Sequence, residues 1–167
     1  MFSNARAAVL AAALLMSSPL FAAELPNPTL DETKVLAQAQ EAQDRSQPEK
    51  RQFVEGRLTL TPEQAEKFWP IYQEHQTALG ELNRRRIENI LSYARAWNQG
   101  SVNDKAANAL AREVIAIEED EVALLKRTYR FASKATSPAQ AALYVQIEAK
   151  LRARLRFEET EYLPLVK

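Results

Sequence analysis

The stretch from Leu60 to Trp97 constrains this chain more than any other. Leu60-Thr61-Pro62-Glu63-Gln64 carries the signals of a helix start in order. Thr61 caps free amide groups, Pro62 takes the first helical position where no N–H is needed, and Gln64 at the third position reaches back to close a capping box. Behind it, Phe68, Tyr72, His75, Leu79, Leu82, Arg86, Ile90 and Trp97 recur mainly at four- and three-residue steps, with Ile87 and Ala94 widening the row. That near-heptad period predicts one amphipathic helix from Pro62 to Trp97, ~50 Å long at 1.5 Å per residue. Gly80 inside it costs about a kcal/mol relative to alanine, too little to end so strong a pattern.

The rest of the chain is compatible with nothing but more helix. It has only three glycines, at positions 56, 80 and 100, and no alternating β-branched stretches between turns. Ala, Glu, Gln, Leu, Arg and Lys, the strong helix formers, dominate. Asp31 caps a first helix through Val35, Leu36 and Ala39 towards Asp44-Arg45. Pro48 then either kinks that helix or opens a second short one bearing Phe53, Val54 and Leu58. After the long helix, Asn98-Gln99-Gly100-Ser101 is a turn, and Asn103 or Asp104 caps the next helix. Leu110, Val114, Ile117, Leu124 and Phe131 mark its expected buried side, with Ile115, Leu125 and Tyr129 adjacent, and Glu121 falls on the stripe. Thr136-Ser137-Pro138-Ala139-Gln140 repeats the earlier start, with Ser137 capping and Gln140 closing the box. A last helix with Leu143, Tyr144, Ile147, Leu151, Leu155 and Glu158 runs towards Leu163-Pro164-Leu165-Val166. The expected fold is all-α and elongated: a long antiparallel α-hairpin flanked by N- and C-terminal helices. Its apolar stripe is wider than one neighbour covers, which favours a homodimer with coiled-coil character or a surface kept for partners.

The N-terminus reads as an address. Met1 to Arg6 is positively charged, Ala7 to Met16 is a run of about ten apolar residues, and Leu20-Phe21-Ala22-Ala23 offers small residues to a peptidase. The run is too short and too soon interrupted for a bilayer span. Residues 1–23 are therefore expected to be a signal peptide, cleaved after Ala22 or Ala23, and residues 24–167 a single helical domain with an extended leader over 24–30. An exported, periplasmic product without an integral membrane span follows.

Composition then narrows the chemistry. The chain has 22 basic and 22 acidic residues, so it lacks the cationic excess of a general nucleic-acid binder. It has no cysteine, and both methionines, Met1 and Met16, lie in the export segment. One imidazole, His75, remains, and it sits on the apolar row. No catalytic nucleophile–base pair, phosphate-cradling glycine loop, cofactor site or metal site is expected, since soft-metal sites draw on several His, Met or Cys ligands. Two clusters stand out instead. Arg84-Arg85-Arg86 lies on the long helix, and Arg152, Arg154 and Arg156 on the last. Arg86 falls on the apolar seam, where it either pairs with Glu88 or with Glu118 to Glu121 across the hairpin, or helps to form a mixed apolar and basic surface. Trp69, just off the Phe68–Tyr72 row, joins Arg84, Arg85, Arg86, Arg152 and Arg156 as a candidate client or partner surface.

Leu60-Thr61 with Gln64 resembles the LTxxQ motif of the periplasmic Spy/CpxP-like helical proteins, and Thr136-Ser137-Pro138-Ala139-Gln140 looks like a second, degenerate copy. The likeness is closest to an uncharacterised exported subgroup with a block similar to Leu60–His75, a later Gln146-Ile147-Glu148 and a C-terminal Pro164-Leu165-Val166. The resemblance implies long helices, a homodimer, and a chaperone-like or envelope-stress-modulating role towards unfolded or envelope protein clients, without ATP. Alternatives are an interaction module for one dedicated envelope partner and a periplasmic metal sensor.

Overall fold

The computed structural model describes residues 31–160. The stretch expected to be a signal peptide, the leader expected over 24–30 and the C-terminal Pro164-Leu165-Val166 lie outside the described residues. Among those described, four helices account for 89% and there is no strand: α1 Glu32–Glu55, α2 Pro62–Asn98, α3 Asp104–Ala135 and α4 Pro138–Thr160.

Their boundaries follow from local chemistry. The Asp31 carboxylate accepts from the Lys34 N–H at 3.1 Å, and Asn103 Oδ1 from the Ala106 N–H at 3.0 Å, each supplying an acceptor to a free first-turn amide. At the end of α2 the Ser101 N–H bonds the Ala96 carbonyl at 2.9 Å, a wrap that requires a left-handed residue between them. Gly100, at φ +62°, supplies it. α1 is one continuous helix through Pro48, and α2 continues through Pro70. Each proline removes one intrahelical hydrogen bond, yet side chains C-terminal to it (Val54 in α1, Tyr72 and His75 in α2) are fixed in the core and carry the helix on.

Contacts set the helix directions. Val35, Leu36 and Ala39, early in α1, pack on Ile87 and Leu91, late in α2, whereas Val54 joins Phe68 at the other end. Leu79 and Leu82 of α2 meet Ile117 and Leu124 of α3. Tyr144 of α4 lies beside His75, and Arg156 beside Glu118. Successive helices are thus antiparallel, up-down-up-down, with the α2–α3 hairpin as the spine. The main apolar cluster sits where all four converge: Val54 and Leu58, Phe68 and Tyr72, Ala132, then Ala141, Tyr144 and Ile147. Phe68 stands edge-on to Tyr144 with ring centroids 5.2 Å apart. Burying each large side chain there contributes about 1.5–3 kcal/mol.

Gly80 lies buried on α2 facing α1. A Cβ at that position would meet the side-chain amide of Gln43 on α1, which would have to swing aside.

The buried face of α3 differs from the expected one. Ile117 and Leu124 are buried, but Val114, Ile115, Tyr129 and Phe131 are exposed, and the inward line is Ile117, Glu121, Leu124, Thr128 and Ala132. Two neighbours, α2 and α4, share this face, and the polar Glu121 is admitted by its arginine partners on both. Ile117 and Leu124 keep the expected direction, while Val114 and Phe131 at the edges of the apolar row turn to solvent, so apolarity alone draws the buried face too wide. On α2 the expected row is buried from Phe68 to Ala94, apart from Arg86, while Trp97 is half-buried.

Candidate functional site

The two cap motifs lie side by side. Thr61 forms the full capping box: its hydroxyl accepts from the Gln64 N–H at 3.3 Å, and Gln64 Oε1 accepts from the Thr61 N–H at 3.0 Å. Gln64 then donates from Nε2 to the Thr136 carbonyl at 3.1 Å, across to the second motif. Ser137 accepts from the Gln140 N–H at 3.2 Å, but Gln140 does not close the expected box. Its Oε1 accepts from the Thr59 N–H at 3.0 Å instead. The two glutamines therefore cross-brace the α1–α2 and α3–α4 junctions, a tertiary role that local capping rules do not anticipate.

Further into the bundle lies a buried polar cluster. Gln76, His75, Tyr144 and Glu148 are all buried, with Glu148 fully so. Gln76 donates to the Tyr144 hydroxyl at 3.1 Å and to Glu148 Oε1 at 3.0 Å, and accepts from Lys50 Nζ at 2.7 Å. Lys50 also pairs with Glu148 Oε2 at 3.0 Å. His75 Nδ1 lies 2.6 Å from the Tyr144 hydroxyl. Burial pushes the imidazole down to about 4; Lys50, Arg152 and Arg127 push it the same way, against the pull of Glu148. His75 is thus neutral at pH 7, with Nδ1 in hydrogen-bond contact with the Tyr144 hydroxyl. Burial, then the Glu148 charge, drives the Tyr144 hydroxyl far above its ordinary range and Tyr72 up to about 12. The Tyr72 hydroxyl has no hydrogen-bond partner among the described residues. The cluster ties α1, α2 and α4 together.

A second polar cluster joins α2, α3 and α4. Glu121, 2% exposed, receives Arg86 and Arg156 at 2.7 Å and Arg152 at 3.2 Å. Glu118 receives Arg156 at 2.6 Å and Arg86 at 3.2 Å. Burial opposes ionisation of Glu121, but the Arg86 hydrogen bond and the surrounding guanidinium charges outweigh it and hold the carboxyl below its usual range. Arg85 bonds Glu113 at 3.0 Å and Asp120 at 2.7 Å, while Arg84 pairs with Glu81 and Glu88 on its own helix. Arg84, Arg85, Arg86, Arg152 and Arg156 therefore all hold carboxylates of this chain.

Trp69 is placed differently. It is half-buried against the main cluster, and the Arg51 guanidinium lies 4.5 Å from its ring centroid. The same end of the bundle carries two more such pairs: Arg57 over Phe53 at 4.3 Å and Arg130 over Phe131 at 5.1 Å. Phe53 and Phe131 are both exposed. Sequence reasoning missed these pairs, although Phe53 and Arg57 stand only four residues apart, across the end of α1. Arg51 and Trp69 have no such proximity in the chain, since they sit on different helices.

Among the described residues, no group of three or more His, Cys, Asp or Glu is placed to hold a metal ion, and no helix is long and apolar enough to cross a membrane. The fold and its polar core define an antiparallel helical bundle with an aromatic and cationic rim at its capped end. No protein-family description, curated protein or solved structure matches the chain.

Proposed function

We propose that this protein is an exported, non-enzymatic helical binding protein that works in the periplasm as a homodimer and holds exposed apolar segments of unfolded or envelope proteins, in the manner of the LTxxQ proteins it resembles. The observation that carries this reading is the rim of Phe53, Trp69 and Phe131, each with a guanidinium over its ring. An aromatic ring on a bundle surface offers apolar contact to a client. An arginine over it keeps the ring wet and soluble while no client is present. Such a stack is worth about 0.5–1 kcal/mol at an exposed site, so a client's apolar side chain displaces it readily and leaves as readily. Reversible holding then needs no nucleotide.

The test is light scattering of two unrelated proteins as they unfold, with and without this protein. Both should be kept from aggregating, and a Phe53→Ser/Phe131→Ser protein should protect several-fold less, while Lys67→Ala protects fully. Undiminished protection by the double variant would remove the rim from the mechanism. Protection of neither client would favour the alternative of one dedicated envelope partner.

A further inference from the structure

The outer face of α3 carries an apolar row that no described element covers. Ile115, Val122 and Tyr129 follow one another at seven-residue steps and are 57, 48 and 40% exposed. Ala111 extends the row at one end, and half-buried Leu125 lies along its edge. We propose that this row is the contact between two copies of the chain, packed antiparallel about a two-fold axis at Val122.

Period and charge both point there. A strict heptad row on a straight helix drifts by ~20° per repeat, and a second helix follows it only by crossing with a left-handed supercoil, the geometry of paired helices. The row spans ~21 Å, the rise of fourteen helical residues. Glu119 and Lys126 flank it on the side away from α4. Both are exposed, and neither makes an ion pair or hydrogen bond among the described residues, although Glu113, Glu118, Asp120 and Glu121 beside them all do. Reversal about Val122 sets Ile115 against Tyr129 of the partner subunit and Glu119 against Lys126 of the partner subunit. The two-fold axis then repeats both contacts. A parallel pair offers neither charge an unengaged opposite. A contact this short lies at the small end of specific interfaces, so the dimer should dissociate on dilution through the micromolar range.

This deepens the two-copy part of the proposed function and needs nothing from its client part. The chain has no cysteine, so introduced thiols report cleanly. Under mild oxidation Val122→Cys should form a disulfide dimer with itself. Ile115→Cys should do so with Tyr129→Cys and not alone. In sedimentation equilibrium, Glu119→Lys and Lys126→Glu should each raise the dissociation constant about tenfold or more, and the charge-swapped double variant should restore it. These exposed positions leave the helical circular dichroism unchanged. A wild-type chain that stays monomeric at all concentrations overturns the proposal and gives the row to residues 161–167 or to another protein. A dimer indifferent to these substitutions also overturns it, while two-copy assembly stands. Light scattering on the same variants reads client holding separately, so loss of protection by an intact dimer sinks the functional reading alone.

Discussion

At the scale of single residues, the informative side chains are polar ones inside the bundle. His75 lay on the apolar row of the sequence, and its place in the core was legible there. Its partners were not, because Tyr144, Glu148 and Lys50 lie on two other helices and only folding brings them together. Its environment has a measurable consequence. The imidazole is held near 4 in the folded bundle and titrates near 6.5 when unfolded, so between those values the unfolded chain binds more protons. The stability that neutral His75 contributes is therefore present above about pH 6.5 and is lost as pH falls towards 4. Replacing His75 by Gln keeps a group that can donate to or accept from Tyr144 and removes the titration. Urea unfolding at pH 7 and pH 4.5 should show the wild type losing about 2 kcal/mol more than His75→Gln over that interval. An identical loss in both proteins would place the proton elsewhere.

At the scale of elements, the helix starts were written locally and their second use was not. Thr61, Pro62 and Gln64 announce a capping box because its hydrogen bonds span three residues, and the box forms. Ser137 caps as expected, yet Gln140 spends its carbonyl oxygen on Thr59, a residue of the other junction. The two glutamines brace with opposite chemistry, Gln64 as donor through Nε2 and Gln140 as acceptor through Oε1. A carboxylate retains the acceptor and loses the donor. Gln64→Glu should therefore cost about 1 kcal/mol through the lost bond to Thr136, while Gln140→Glu is close to neutral in the same thermal or urea unfolding measurement. Equal effects would show that the brace to Thr136 contributes nothing. The exposed row on α3 teaches the same lesson from the other side. Ile115 and Tyr129 read as adjacent to the core from their apolarity, but the face a helix buries is set by its neighbours, and here Arg86, Arg152 and Arg156 draw Glu121 inward.

At the scale of the whole molecule, the four helices are not equally held. α2 and α3 share the longest interface, whereas α1 contributes one fully buried side chain, Val54, and leans on α2 through Val35, Leu36 and Ala39. Polar contacts hold the rest of it: Glu32 to Arg95, Lys50 to Gln76 and Glu148. A helix with so little buried apolar surface opens before its neighbours do. Amide hydrogen exchange should be faster from Glu32 to Gln43 than across Leu79 to Leu91 of α2, by one or more orders of magnitude. Uniform protection would mean that α1 unfolds only with the bundle. What the sequence determined by itself is everything carried by short-range periodicity and capping: the all-α class, the start of the long helix at Pro62, the turn at Gly100 and the core row from Phe68 to Ala94. Only the tertiary structure decided what Pro48 does, which apolar residues of α3 turn inward, where Gln140 bonds, and that Arg86, Arg152 and Arg156 close on Glu118 and Glu121. The physical reason is range. Helix propensity and caps act over three or four residues of chain, whereas burial of a charge or a proline depends on partners that only packing brings within hydrogen-bond reach.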